Sequence, residues 1–257
     1  MVTIAVGNRK GGVGKTTTAE AIASYLSRNG ARVLLIDLDA QCNLSSYLDV
    51  DVNDGNIGDV LKEKGGIGLK DIIVKTDLFD VAPGSLELSS IADGLLQKTG
   101  REKRLAEELR AVCDVYEYVV VDMPPDVGLL SMNALTAADY LVAVSNADAF
   151  SLDGIVQLHS AVEDAVEYTN PKLKVAGILI TMFDKRTVIS SVMADQLKDL
   201  AGQMGSMVFD ARIRRCVAVR EAQTQRQDLY AYAPKCTAAV DYEDWMQNEL
   251  VEVLKNG

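Results

Sequence analysis

Eight residues near the N-terminus, Lys10-Gly11-Gly12-Val13-Gly14-Lys15-Thr16-Thr17, have the types and spacing needed to hold a phosphate chain. The glycines let the backbone curl so that successive N–H groups point inward as an anion nest. A helix starting at Lys15 adds the positive end of its dipole. Lys15 can reach the β- and γ-phosphates of a nucleoside triphosphate, and the Thr16 hydroxyl can ligate Mg2+. The pattern departs from the plain phosphate loop, because Arg9 stands where glycine is usual and a second lysine, Lys10, follows it. Core packing does not explain a lysine inside such a loop. It could be a surface charge, or it could neutralise phosphate, either its own or that of a partner's nucleotide across an interface.

Carboxylates supply the other half of this chemistry. In a parallel sheet, ligands collect at the carboxyl ends of the strands. Asp37 ends the apolar run Val33-Leu34-Leu35-Ile36, and Asp39 follows two residues later. Asp122 ends Tyr118-Val119-Val120-Val121 and precedes Met123-Pro124-Pro125, which is the form of a Walker B carboxylate aimed at Mg2+ and its waters. Asp39 is a candidate for orienting or activating the attacking water, although either Asp37 or Asp39 could face the γ-phosphate. Capping of the following segment is the simpler role open to each.

The elements that must position these groups are legible as alternating patterns. Residues 2–6 are β-branched or apolar and run straight into the glycine loop. Ala19, Ile22, Ala23 and Leu26 recur at helical spacing from Lys15 to about Asn29, where Gly30 stops the pattern. Further strands are expected at Phe79–Ala82, Tyr118–Val121, Tyr140–Val144 and Val175–Ile180, and further helices over 101–112, 152–168, 187–201 and about 237–254. Near-continuous apolar strands alternating with helices predict an α/β fold, a doubly wound, mainly parallel sheet with helices on both faces. The length of 257 residues and 48% hydrophobic content suit one domain spanning 1–257. Residues 51–77, with Gly55, Gly58, Gly65, Gly66 and Gly68, are the least regular stretch and read as a mobile insertion.

Composition narrows the function. A net charge of −11 argues against a generic nucleic-acid binder, while leaving room for a local basic patch. Such a patch is offered by 207–236, where Arg212, Arg214, Arg215, Arg220, Arg226 and Lys235 face three acidic residues. No apolar run is long enough for a membrane span and no leader pattern opens the chain, so the expected location is cytoplasmic. The four cysteines, Cys42, Cys113, Cys216 and Cys236, are far apart in sequence and form no Cys-x-x-Cys pair, which favours reduced thiols over disulfides or a metal cluster. His159 has no evident partner and reads as structural or exposed. Residues 241–257 carry five acidic side chains and only Lys255, the reverse of a basic membrane-binding helix; Trp245, Leu250, Val251 and Leu254 suit a helix packed on the domain.

Taken together, the double-lysine loop, Leu35-Ile36-Asp37-Leu38-Asp39 with Gln41 and Asn43, and Asp122-Met123-Pro124-Pro125 closely resemble the ParA/Soj family of deviant Walker A partition ATPases, relatives of MinD. The resemblance continues through Gly128-Leu129-Leu130, Asn133-Ala134-Leu135, Ala149 to Gly154, Gly177 to Asp184 and Val208 to Ala222, nearly the whole chain. It implies ATP/ADP and Mg2+ as cofactors and an ATP-dependent homodimer closed over two nucleotides. Lys10 is then the signature lysine reaching the partner subunit's phosphates and Lys15 the usual loop lysine. Thr16 binds Mg2+, Thr17 holds the α-phosphate, Asp39 is the hydrolysis carboxylate, and Asp37 and Asp122 hold the metal's water shell. Thr181, Asp184 and Ile213 are implied to flank the adenine.

Family members bind DNA non-specifically as ATP dimers, and a ParB-like partner stimulates hydrolysis, so a nucleoid-associated ATPase of low turnover is implied. Arg215 stands where the family's DNA-contacting arginine stands. Arg214 replaces a proline beside it, and Lys235 keeps one basic position of a later segment whose other is Thr237. The altered basic segment leaves a second function class open, a switch of the same kind that positions a protein cargo without binding DNA. A metabolic amidotransferase-like or nitrogenase-reductase-like enzyme lacks support: there is no second catalytic domain and no close cysteine pair in sequence.

Overall fold

The computed structural model describes residues 1–50, 55–62, 65–148 and 151–256. Its strands are Val2–Gly7 (β1), Val33–Asp37 (β2), Asp80–Ala82 (β3), Tyr118–Asp122 (β4), Tyr140–Asn146 (β5), Lys174–Phe183 (β6) and Val208–Arg214 (β7). They form one parallel sheet in the order β3-β2-β4-β1-β5-β6-β7. The central strands are apolar on both faces because both are covered. Ile4, Val6, Leu35, Val120, Val142 and Val144 point to one face, and Ala5, Leu34, Ile36, Val119, Val121 and Leu141 to the other.

The helices in chain order begin with Lys15–Arg28 (α1), Asn43–Tyr47 (α2), Ile57–Lys62 (α3), Leu88–Leu95 (α4), Arg104–Leu109 (α5) and Leu129–Ala137 (α6). Ser151–Tyr168 (α7), Val188–Gln203 (α8), Val217–Thr224 (α9), Leu229–Tyr232 (α10), Thr237–Trp245 (α11) and Val251–Asn256 (α12) complete them. A wider π turn over Met246–Leu250 joins α11 to α12. The C-terminal segment therefore packs as its apolar residues require, with Trp245 fully buried in the cluster that also holds Ile22 and Leu26 of α1. No described helix is long and apolar enough to cross a membrane.

Two stretches differ from their sequence reading. Part of 51–77 belongs to the core: Ile57, Leu61, Leu69 and Ile72 are almost wholly buried, and Val74 bridges Val81 next to β3. Glycines there break the periodicity while single apolar residues still anchor the backbone; residues 51–54 and 63–64 lie outside the described residues. The second is β7, whose Asp210, Arg212 and Arg214 hide it from a hydrophobic scan. As the edge strand, it is closed off by Glu249, whose carboxylate accepts the N–H groups of Asp210 and Ala211 at 2.7 Å each.

Glu20, on α1, is buried beneath α10 and carries a testable charge. Ser24 Oγ lies 3.1 Å from Glu20 Oε1 and 2.6 Å from Asp228 Oδ1. Burial first, and then the hydrogen bond and charge of Asp228, hold the Glu20 carboxyl well above its ordinary range. The folded state therefore keeps a proton that the unfolded chain releases from about pH 4.5 upward, so this residue's contribution to stability falls as pH rises. Glu20→Gln is expected to raise the melting temperature at neutral pH by roughly 2–4 °C, with the gain shrinking in acid. Thermal melts of both proteins across pH check this, and a gain independent of pH speaks against it.

Candidate nucleotide site

The central position of β1, between β4 and β5, brings the glycine loop to the carboxyl edge of the sheet beside both neighbouring strand ends. Gly14 closes the loop with φ 91° and caps α1, and Gly12 also has positive φ at 72°, conformations that a side chain would strain. The loop is braced from below. Asn8 Nδ2 donates to Val144 O at 2.5 Å, Asn8 Oδ1 accepts from the backbone N of Lys10 at 2.8 Å, and Thr181 Oγ1 donates to Val13 O at 2.6 Å. The Thr181 hydroxyl is thus engaged with the loop itself.

Lys15 is almost fully buried, with Nζ 3.2 Å from Lys10 O. Burial lowers its pKa, while Asp122, Asp39 and Asp126 pull the other way. Lys10 turns from the loop toward β5 and bonds Asp148, with Asn146 Oδ1 at 3.5 Å.

The three aspartates sit at adjacent strand ends but in different circumstances. Asp37 and Asp122 are register partners on β2 and β4. Asp37 Oδ2 accepts both the backbone N–H and the hydroxyl of Ser45, at 2.9 and 2.7 Å, while Oδ1 lies 3.2 Å from the N–H of Asp39. Burial nonetheless raises its pKa. Asp39 lines the open cavity, its Oδ1 accepting from Gln41 N at 2.9 Å. Asp122 is buried, and neither of its oxygens has a hydrogen bond of proper geometry among the described residues. Burial and then Asp37 push its pKa well up, while the nearby Thr16 hydroxyl and Lys15 favour the charged form. A buried carboxylate left unpartnered beside a threonine hydroxyl offers oxygen donors that fit a hydrated divalent cation.

Two adjoining cavities open from the loop. One of about 620 Å³ lies between Gly11, Lys15, Thr16 and Asp39 on one side and Tyr47, Arg220 and Arg226 on the other. The second, about 240 Å³ and mostly apolar, is bounded by Thr181, Ile213, Cys216, Val219 and Tyr242. Both share Gly14, Thr17, Met182, Arg220 and Gln223, so a phosphate chain in the first leads to a flat ring in the second. Met182 marks their junction with φ 49°, a strained backbone for a non-glycine residue.

A family model described as an AAA domain matches residues 1–175. The chain is 37% identical over 245 residues to the chromosome partitioning protein ParA of Caulobacter vibrioides, covering 93% of this chain and 90% of that one. It is 34% identical over 258 residues to the sporulation initiation inhibitor protein Soj of Bacillus subtilis, covering 99% and 98%. The chain belongs to the ParA/Soj family of partition ATPases. Among solved structures, that titled cobyrinic acid a,c-diamide synthase from Mycobacterium smegmatis, with bound ATP analogue and magnesium, superposes with a TM-score of 0.85 at 29% identity, covering 100% of this chain and 97% of that one. The doubly wound fold expected from the sequence is thus the fold of ParA/Soj-like P-loop ATPases.

In this ParA/Soj chain, the residues expected at the base divide between two places. Ile213 lines the apolar cavity, with Thr181 at its inner wall. Asp184 lies outside it, paired through both carboxylate oxygens with Arg186 at 3.0 and 2.8 Å, which lowers its pKa to about 2. Sequence reasoning missed Gln223, whose Nε2 donates to Thr17 Oγ1 at 3.1 Å, and Met182, Tyr47 and the cavity-facing role of Arg220. The packing of α9 beside the loop identifies Arg220 and Gln223, and the ends of β6 and α2 identify Met182 and Tyr47; no local motif announces any of them.

The basic surface is smaller than charge counting predicts. Arg214 is tied to Asp241 at 2.6 to 3.1 Å, Arg226 bonds Asp49, and Arg212 donates to the backbone carbonyls of Phe209 and Ala211. Arg215 and Lys235 are exposed, and Lys185 and Arg186 border a shallow pocket with Arg215. His159 is structural, its Nε2 3.2 Å from Met204 O.

Proposed function

We propose that this chain is an ATP-dependent dimerising ATPase that binds DNA non-specifically and positions or segregates it, with a ParB-like protein stimulating slow hydrolysis. The observation that carries this reading is Lys10. A lysine inside a phosphate loop ordinarily serves its own nucleotide, yet this one is turned to Asp148 and Asn146 and does not border the cavity that Lys15 lines. A second copy closing over the loop would offer Lys10 the phosphates of the other nucleotide, and exchange of Asp148 for phosphate would make pairing depend on ATP.

Within one subunit, the backbone N–H groups from Gly11 to Thr17 and the Lys15 ammonium hold the β- and γ-phosphates, and Thr17 holds the α-phosphate. Thr16 and Asp122 hold Mg2+ and its waters, with Asp37 fixed behind them by Ser45. Bound Mg2+ neutralises charge developing on the phosphate oxygens. Asp39 lines the phosphate cavity together with the loop, where it orients the attacking water. An ATP analogue and magnesium are also what the Mycobacterium smegmatis neighbour holds in this fold. The working location is the cytoplasm, on the nucleoid, with no membrane partner.

Arg215, exposed at the end of β7, with Lys235 and Arg214 nearby, supplies sequence-independent phosphate contacts. Retention on random duplex DNA, measured at about 50 mM salt with ATP, ADP or no nucleotide, tests the proposal. ATP-dependent retention should fall severalfold in Arg215→Ala and be lost on raising the salt. A protein that dimerises with ATP yet is not retained removes the DNA role. The protein-scaffold reading then takes its place, favoured by the exposed apolar side chains of Val188 and Val217, 81% and 70% accessible, close to the basic residues.

A further inference from the structure

Cys216 and Cys236, twenty residues apart in sequence, are neighbours in the fold. Cys216 stands at the N-cap position of α9, and Cys236 caps the start of α11 with its side chain. The Cys236 sulfur accepts the N–H of Ala239 at 3.4 Å. The Cys216 sulfur lies close to the Cys236 thiol, the Thr237 hydroxyl and the backbone N–H groups of Ala218 and Ala238. The frame around the pair is fixed, because Arg214, two residues before Cys216, grips Asp241 of α11 through its side chain and its backbone N–H. Access is also built in, since Cys216 lines the apolar cavity that opens beside the phosphate loop.

We propose that Cys216 and Cys236 form a peroxide-reactive modification site, Cys216 as the attacking thiolate and Cys236 as the resolving thiol. The two sulfurs are suited to unequal roles. Burial works against ionisation of Cys216, but its hydrogen bonds from Thr237, Ala238, Ala218 and Cys236 outweigh this and bring its pKa below that of an ordinary thiol. Burial, with Cys216 alongside, raises that of Cys236. Cys42, by contrast, is pushed up to about 11 by burial and by Asp37 and Asp39, and is unreactive.

The Cys216 thiolate takes one oxygen from hydrogen peroxide, giving sulfenic acid and releasing the other oxygen as hydroxide, which is protonated to water. Cys236 sulfur then attacks the sulfenic sulfur, loses its proton, and expels the oxygen as a second water, leaving a disulfide. Peroxide is the oxidant, and the two thiols supply both electrons. The bond staples the start of α9, the helix bearing Arg220 and Gln223, to the start of α11.

The test is a brief exposure of the full-length protein to a stoichiometric amount of hydrogen peroxide, in Cys113→Ser to remove the exposed competing thiol, followed by thiol titration and peptide mass mapping. A Cys216–Cys236 crosslink with a mass loss of two hydrogens, reversed by dithiothreitol, is expected. Cys236→Ser should halt at a sulfenic acid that dimedone traps on Cys216, and Cys216→Ser should keep Cys236 reduced. In wild type, Cys216 should be consumed several times faster than Cys113. The proposal is overturned if Cys216 and Cys236 stay titratable while Cys113 is oxidised, a result readable on the wild-type protein alone.

Discussion

Replacing Lys15 with alanine is expected to lower ATP turnover by about 1000-fold and to abolish nucleotide-driven pairing. The ammonium is buried at the mouth of the loop, where it works against weak solvent screening. It bears the cost of burial, offset by Asp122, Asp39 and Asp126. A phosphate chain supplies it with a closer and more highly charged partner. Truncation leaves that chain facing three carboxylates without the loop's buried ammonium, so binding and chemistry suffer together. Phosphate release and binding of a fluorescent ATP analogue check the expectation, and turnover close to wild type would remove Lys15 from the phosphate contacts.

Asp39→Ala is expected to separate those two effects. Asp39 keeps one oxygen on the N–H of Gln41 and borders the phosphate cavity, whereas both oxygens of Asp37 are engaged by neighbouring backbone and by Ser45. Loss of Asp39 removes a group that orients water while leaving the loop intact. Turnover should drop by about 100-fold or more at nearly unchanged nucleotide affinity, and ATP-bound dimers should accumulate. Size-exclusion chromatography with light scattering, run beside the phosphate assay, reads both. If affinity falls as far as turnover, Asp39 is a binding residue; Asp37→Ala, which unties Ser45 and α2, should lose folding stability first.

The chemistry was legible wherever function requires consecutive residues. The glycine loop needs no long-range information, and Asp37 and Asp122 stand at the ends of runs too apolar to be anything but buried strands. Their pairing side by side on β2 and β4 follows from strand order, which no local pattern encodes. The same holds for the wall formed by α9, where Gln223 meets Thr17 across a gap of two hundred residues of chain. Helix α6 escaped the periodicity argument because it is buried nearly all round, Ser131, Asn133 and Thr136 included, and so has no polar stripe. Charge counting overstated the basic surface: Arg214 ties β7 to Asp241 of α11, Arg226 bonds Asp49, and Arg212 is engaged within β7 itself. The cysteines mark the same boundary, being distant in sequence and neighbours only once β7 and α11 have met.

The sheet also dictates how the protein can be born. Among the described residues, strand β1 bonds only to β4 and β5, so Val2–Gly7 waits without sheet partners until the ribosome has passed Tyr118 and then Tyr140. Closure of so long a loop makes this a slow, late step, and the apolar N-terminal strand is exposed throughout it. Because the glycine loop hangs from that strand, no chain that stops short of β4 and β5 has the sheet edge on which the loop sits. A chain interrupted before β5 therefore offers ATP no assembled site to stabilise.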